Sequence, residues 1–264
     1  AGAPIGLTYG PQLQNPIDDL INDIEMIERF EWERRSPAPE GQPYHQALVR
    51  EPFGVVGSIT PWNFPFTMNM WKLGPALAAG NTVVLKPAPD TPLSATAIGR
   101  IVAKQTDIPN GVFNVITSAD KAEVGQILTG DPRVDMVAFT GSVPVGKMVL
   151  SSAANTVKKV VLELGGKSAN IILEDADVAA AMAGIGMMSC YHAGQGCVLA
   201  MRSFVVRERY DEAVEQLKNV MGAIAWGDPT DPANIMGPVA SRTQYNRVLG
   251  YIEKGKAEGG RVVL

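Results

Sequence analysis

Val55-Val56-Gly57-Ser58-Ile59 is the stretch that decides the fold class. It is a short run rich in β-branched residues, and a second one, Thr82-Val83-Val84-Leu85, follows a helical pattern near 69–79. Apolar strands that alternate with helices are typical of a parallel sheet whose two faces are covered by helices. The stretch therefore predicts an α/β fold with an open, mostly parallel sheet.

The same alternation continues along the chain. Further strands are predicted at 112–116, 134–139, 159–162, 170–173, 203–206 and 261–264. Further helices are predicted near 16–34, 91–105, 120–129, 144–154, 177–190, 209–224 and 241–257, and the proline-rich segment 36–44 predicts a loop. A break near 165–170 predicts two domains, 1–165 and 166–264. Because the chain stops inside a predicted strand, we expect the second domain to be incomplete.

The composition excludes several classes of function. A formal net charge of −4 gives no field that would draw the chain onto nucleic acid or an anionic membrane. The longest apolar stretch, from Val178 to Cys190, is shorter than the roughly 20 residues that cross a bilayer. No basic n-region follows Ala1, so we expect no signal peptide. Cys190 and Cys197 have neither disulfide nor zinc spacing, which favours a reducing cytoplasm and no metal.

Cys197 is the first candidate for chemistry, in Gly194-Gln195-Gly196-Cys197. The two glycines leave room for a tight turn and for a substrate beside the thiol. A thiolate is a good nucleophile, and a free thiol pKa of about 8.5 makes it partly available near neutral pH. The alternative is a small buried hydrophobic residue, which fits Cys190 better.

Two further side chains could assist such a thiol. Glu163 follows the apolar run Val160-Val161-Leu162, where desolvation would raise its pKa and suit it to act as a general base. The alternative is a glutamate at a strand end that reaches water. Asn63, in the turn after the first strand, could hold an oxyanion with its amide, or could be an ordinary turn asparagine.

Strand ends also offer candidates for phosphate or ribose binding. Thr140-Gly141-Ser142 ends a strand and opens a helix, whose free N–H groups favour phosphate, although the spacing is not the usual dinucleotide fingerprint. Lys86 is a single cation at another strand end. His45 and His192 form no convincing pair with Cys197, which disfavours a cysteine hydrolase, and we interpret both as structural.

Taken together and in this order, the motifs resemble the aldehyde dehydrogenase superfamily. The resemblance runs through essentially the whole chain and is densest after Arg50. The matching segments are 61–65 (PWNFP), 71–77 (WKLGPAL), 84–87 (VLKP), 139–142 (FTGS), 162–167 (LELGGK) and 194–197 (GQGC). The glutamate and cysteine motifs, 34 residues apart, are specific to the family.

The resemblance implies a reaction and a set of roles. Cys197 would attack an aldehyde to give a thiohemiacetal, whose oxyanion would be held by Asn63 and the Cys197 N–H. Hydride transfer to a nicotinamide would leave a thioester, and Glu163 would activate the water that hydrolyses it. Lys72 would belong to a proton route. A rival is a relative that acylates coenzyme A; such enzymes typically lack the glutamate, so Glu163 favours a free carboxylic acid.

The resemblance also implies a Rossmann-related domain, residues 1–165, that binds NAD, with NADP possible, and the start of a catalytic thiol domain, residues 166–264. The cofactor would lie along Ile59, Thr60, Pro61, Trp62, Lys86, Gly141, Ser142, Val145 and Leu164. Pro89 stands where NAD-preferring relatives often carry an acidic residue that binds the adenosine ribose.

Family members are usually nearly twice as long and form homo-oligomers. We therefore expect this chain to be a fragment, and a silent cofactor-binding fragment is a further alternative.

Overall fold

The strands alternate with helices as the α/β prediction requires, and that prediction is confirmed in the computed structural model, which describes residues 1–37, 40–41, 44–120, 122–199 and 201–264. The strands are β1 Glu33–Ser36, β2 Gln46–Val49, β3 Val55–Ile59, β4 Thr82–Lys86, β5 Phe113–Val115, β6 Met136–Gly141, β7 Lys159–Leu164, β8 Ala169–Ile172 and β9 Arg202–Val205. The helices are α1 Ile5–Tyr9, α2 Asn15–Arg29, α3 Pro65–Ala78, α4 Leu93–Gln105, α5 Glu123–Gly130, α6 Val143–Ala154, α7 Val178–Cys190, α8 Tyr210–Gly222 and α9 Arg242–Ala257.

The chain divides into two units. The first unit is Leu13–Glu163, and the second unit combines Leu164–Leu264 with Ala1–Gln12. Ile5 N–H joins the amino-terminal segment to the Pro229 carbonyl at 2.7 Å. The assignment of a cofactor-binding role to 1–165 and a thiol role to 166–264 stays a prediction.

The central sheet of the first unit has the strand order β5-β4-β3-β6-β7. β3 runs parallel to both β4 and β6, and β4 runs parallel to β5. After building β3, β4 and β5 outward, the chain returns to place β6 on the other side of β3. The strand order therefore reverses between β3 and β6, which is the position where open α/β sheets bind ligands, at the carboxyl ends of the strands.

The two faces of this sheet are covered by different helices. Val56 and Leu85 point to one face, where they join the core with Leu73 of α3 and Ile98 of α4. Alternate residues point the other way, so Gly57 lies against Leu128 of α5. Each large apolar side chain buried in this way contributes about 1.5–3 kcal/mol. This burial fixes the positions of the strand ends.

The second unit contains a smaller parallel pair, β8 and β9. Ile172 packs with Met182 and Ile185 of α7 and Ala213 of α8. The Asp177 carboxylate accepts a hydrogen bond from Ala180 N–H at 3.0 Å and caps the start of α7.

Two local predictions were wrong. The helix predicted over 16–34 ends at Arg29, because Glu33–Ser36 pairs with Gln46–Val49 as an antiparallel hairpin. All eight hairpin residues are exposed, so no buried alternation marked them. Part of the predicted loop at 36–44 lies outside the described residues. The strand predicted at 261–264 is irregular and exposed, since no described strand pairs with it.

Helix α3 begins four residues before the predicted start, because Pro65 suits the first helical position. Among the residues that the structure describes, every helix falls short of the length and hydropathy that crossing a membrane demands.

Candidate active site

The turn after β3 carries Asn63 and is held by prolines on both sides. Pro61 restricts its start, and Pro65 restricts the backbone of Phe64 before α3 begins. Phe64 O then accepts the first helical hydrogen bond, from Met68 N–H at 2.9 Å. The Asn63 side chain, partly exposed, is therefore presented on a stiff turn at the carboxyl end of the central strand.

A buried polar network that was not predicted from the sequence supports this turn. The Thr60 hydroxyl donates to Asn69 Oδ1 at 2.7 Å, and Asn69 Nδ2 lies 3.4 Å from Ser94 Oγ. Asn69 is fully buried on α3. Since a buried amide is costly unless it is hydrogen-bonded, the network ties β3 to α3 and α4. An asparagine among the apolar residues of α3 was the signal available in the sequence.

The strand ends place several candidate cofactor-binding residues along one edge of the sheet. Ile59 pairs with Lys86 across β3 and β4, and with Phe139 across β3 and β6. Gly141 and Ser142 follow at the end of β6, where Ser142 is the extended residue before α6. The N–H groups of the first turn of α6 thus face the edge at which the strand order reverses.

Lys86 is a buried cation at this edge. Its side chain is 3% exposed, and Nζ donates to the Pro87 carbonyl at 3.2 Å. Burial lowers the Lys86 pKa, and the charge of Asp120 partly opposes that shift. Beside it lies a cavity of about 260 Å³, lined by Pro87, Pro89, Pro92, Thr117, Ser118 and Ala119. A polar ligand in this cavity would meet uncharged side chains only, next to the buried Lys86.

Lys72 and Glu163 form the second cluster of the first unit. Burial lowers the Lys72 pKa to about 8, and the nearby charge of Glu163 partly offsets that shift. Glu163 lies on the exposed face of β7. The prediction that its apolar neighbours desolvate it is therefore wrong. A partly buried lysine with a pKa of about 8 can exchange a proton with its surroundings.

The second unit presents Cys197 on an unusual turn. After α7 ends, His192 and Ala193 have φ of 51° and 54°, and Gly194 has φ of 72°. Left-handed backbone costs about 1–2 kcal/mol for a residue with a side chain, so only Gly194 adopts it readily. Gly196 is required for a different reason, since a Cβ there would lie 2.8 Å from Leu199 Cγ.

The two cysteines differ as the sequence analysis predicted. Cys190 is 8% exposed at the end of α7, and burial raises its thiol pKa, which makes it a poor nucleophile. Cys197 is partly exposed, and neither cysteine is in a disulfide. Of the two thiols, Cys197 is the one that a substrate can reach.

The model of the aldehyde dehydrogenase family matches residues 1–264. The chain belongs to the aldehyde dehydrogenase family. Betaine aldehyde dehydrogenase of Cereibacter sphaeroides is 42% identical over 259 residues, which are 97% of this chain and 53% of that protein. A mitochondrial aldehyde dehydrogenase of Leishmania tarentolae is 46% identical over 217 residues, 82% of this chain and 43% of that protein.

Solved aldehyde dehydrogenases have the same fold. The Mycobacterium tuberculosis enzyme, crystallised with NAD+, matches with a TM-score of 0.93 and 40% identity, over 100% of this chain and 53% of that one. This aldehyde dehydrogenase chain therefore spans about half the length of the relatives that it matches.

Lys72 gives this member of the aldehyde dehydrogenase family a testable dependence of stability on pH. Its folded-state pKa, about 8, lies below the unfolded value of about 10.4, so the unfolded state binds more protons between those values. The cost of burying the charge is complete below pH 8 and disappears as the pH rises. We expect Lys72→Met to stabilise the protein at pH 7 by on the order of 2–3 kcal/mol, and hardly at all at pH 11.

Urea unfolding of the complete protein at both pH values measures this difference. Lys104→Met, at an exposed position near the end of α4, is the matched control and should change little at either pH. A stabilisation by Lys72→Met that is the same at pH 7 and pH 11 would contradict the buried-charge explanation.

Proposed function

We propose that the complete protein oxidises an aldehyde to a carboxylic acid, with Cys197 as nucleophile and NAD as hydride acceptor. The observation that carries the proposal is the accessible Cys197 on its left-handed turn, in a chain that matches the aldehyde dehydrogenase family throughout. The reversal of strand order between β3 and β6 supports a dinucleotide site in the same chain.

The residues at the sheet edge fit a dinucleotide. Phosphate needs N–H donors and positive charge, which the start of α6 after Ser142 and the buried Lys86 would supply. The Thr140 hydroxyl, buried at the end of β6, has no hydrogen-bond partner among the described residues and could satisfy a ligand. The other residues that we propose along the cofactor are Ile59, Thr60, Pro61, Trp62, Gly141, Val145 and Leu164.

The proposed chemistry begins with the thiolate. Cys197 Sγ attacks the aldehyde carbon, and the carbonyl π electrons move onto oxygen to give a thiohemiacetal oxyanion. Amide donors stabilise such an oxyanion, and we assign this role to Asn63 Nδ2 and the Cys197 N–H. When bound, the nicotinamide supplies the acceptor for hydride. The acyl group then remains on Cys197 as a thioester.

Glu163 and Lys72 would complete the turnover. A carboxylate can take a proton from water as the water oxygen attacks the thioester carbon and the thiolate leaves. Lys72, whose pKa burial lowers to about 8, is electrostatically coupled to Glu163 and could pass that proton onward. Glu163 is intact, which favours hydrolysis over transfer of the acyl group to coenzyme A.

NAD is the cofactor that we propose, and NADP is its competitor. The M. tuberculosis relative was crystallised with NAD+. Pro89 lines the cavity beside Lys86, at the position where a ribose-binding carboxylate would favour NAD. The lining therefore carries no negative charge that would repel the 2′-phosphate of NADP.

The thiol and the net charge support a proposal for the cellular compartment and for the binding partners. Cys197 must stay reduced to act, which supports a reducing compartment such as the cytoplasm. A net charge of −4 is consistent with a small-molecule substrate and with no nucleic-acid or membrane partner. The homo-oligomer that the family resemblance implies stays a prediction.

Aldehyde-dependent absorbance of the reduced cofactor tests the proposed function directly. The complete protein should produce NADH from a panel of aldehydes and release the free acid, with NADP tried in parallel. Acyl-coenzyme A as the main product would instead identify the acylating reaction. No signal with either cofactor and any aldehyde would support a silent binding protein and contradict the proposal.

A further inference from the structure

Gln195 lies beside Cys197 and is buried although its side chain is polar. It is 6% exposed, and both ends of its amide are engaged within the second unit. Nε2 donates to the His192 carbonyl at 2.9 Å, and Oε1 accepts from Ala240 N–H at 2.8 Å. The side chain thus connects the cysteine turn to a segment 45 residues away in sequence, next to the start of α9.

This bridge needs one donor and one acceptor on the same side chain. The His192 carbonyl can only accept and the Ala240 N–H can only donate, so the orientation of the amide is determined by its partners. An ionised carboxylate of the same shape would satisfy Ala240 but place its second oxygen against the His192 carbonyl. A protonated carboxylic acid would satisfy both partners, as the amide does.

The turn has a physical need for such a bridge. His192 and Ala193 adopt left-handed backbone, which persists in residues with side chains only when the surroundings hold it. Gln195 holds the His192 carbonyl with its side chain. The same carbonyl also accepts a hydrogen bond from the Gln195 backbone N–H at 3.1 Å. On the far side of Cys197, the buried Leu199 packs over Gly196. Cys197 and Val198 therefore form the accessible tip of a loop that is anchored at both ends.

We propose that Gln195 is a positioning residue for the nucleophile, whose amide sets the direction of Cys197 by joining the left-handed turn to Ala240. The proposal rests on the proposed function. Because a nucleophile displaced by about 1 Å can lose on the order of 10²-fold in rate, Gln195→Met should lower kcat by about that factor. The dissociation constant for NAD should change by less than about twofold, since the sheet-edge residues are untouched.

Gln195→Glu is the more informative variant. The quantity to measure is the ratio of its kcat to the kcat of the wild type, from pH 5 to pH 9. A buried carboxyl group resists ionisation, so the acid form should function at low pH and the ratio should fall at least about tenfold as it ionises. Dividing by the wild type cancels the titrations that are common to both proteins. Gln105→Glu, exposed at the end of α4, introduces the same group and should give a constant ratio near one.

Two results would overturn the proposal. One is a pH-independent ratio for Gln195→Glu together with a kcat for Gln195→Met within about threefold of the wild type. The other is a loss of activity that follows only the loss of folded protein, judged from Tm and circular dichroism. If the methionine variant does not fold, Gln195→Asn replaces it, since its amide is one methylene too short to span both partners.

Alkylation of Cys197 distinguishes failure of the proposed function from failure of the role proposed for Gln195. Iodoacetamide labelling of Cys197, followed by peptide mass, requires neither aldehyde nor cofactor. The ratio of labelling rates for Gln195→Glu and wild type should fall with pH even in a protein without dehydrogenase activity. A wild type that makes no NADH overturns the reaction assignment alone, whereas a constant labelling ratio overturns the role of Gln195.

Discussion

Cys197→Ser is expected to reduce aldehyde-dependent NADH formation by roughly 10³-fold to 10⁶-fold, the range found when a catalytic nucleophile is removed. A serine hydroxyl stays protonated at neutral pH and is a far weaker nucleophile than a thiolate. The substitution changes one atom of a partly exposed side chain, so the fold should be unaffected. Steady-state kinetics of the complete protein, with NAD titrated separately by fluorescence, measures the effect.

Cys190→Ala is the matched control for this experiment. Cys190 is buried at the end of α7, and its raised pKa disfavours the thiolate. Its replacement should leave kcat within about threefold of the wild type, with a modest loss of stability from the small cavity. If Cys190→Ala were the inactive variant and Cys197→Ser kept its rate, the assignment of the nucleophile would be wrong.

Glu163→Gln is expected to separate the two halves of the reaction. The amide cannot take a proton from water, so hydrolysis of the thioester should slow by about 10²-fold to 10⁴-fold, the usual contribution of a general base. Hydride transfer precedes that step. Rapid mixing should therefore show a burst of NADH close to one equivalent per active site, followed by a slow steady state, and mass spectrometry should find an acyl group on Cys197.

The exposed side chain of Glu163 makes the control important. Glu28→Gln, on the solvent-exposed part of α2, removes the same charge elsewhere in the first unit and should leave both phases unchanged. A normal steady-state rate in Glu163→Gln would place the base on another residue. Loss of the burst as well would indicate that Glu163 also acts before hydride transfer, as a base for the thiol.

Some of the candidate site residues could be predicted from the sequence and others could not. Cys197 was predicted to be the nucleophile from its flanking glycines, and the structure adds that Gly194 is left-handed while Gly196 accommodates Leu199. Glu163 was predicted to be a desolvated base because its neighbours are apolar, but it lies with Val161 on the exposed face of β7. Gln195 and Asn69 were missed, although each is a polar side chain within an apolar or glycine-rich segment.

The amino-acid sequence by itself determined the fold class and most of the helices and strands. Strand and helix periodicity depend on neighbouring residues, and this local information was enough to predict the α/β alternation from 55 onward, the separate characters of Cys190 and Cys197, and the family resemblance. The hairpin β1–β2 escaped because both its strands are exposed, so no periodic burial shaped their composition.

Only the tertiary structure decided the strand order, the coupling of Lys72 to Glu163 and the bridge from Gln195 to Ala240. Each of these joins residues that are distant along the chain, and a hydrogen bond or a pKa shift depends on which atoms the fold brings within a few ångströms. Periodicity carries no information about such pairs, because the same local pattern is compatible with several strand orders. The environment of each charged or polar group therefore exists only once the strands and helices have packed.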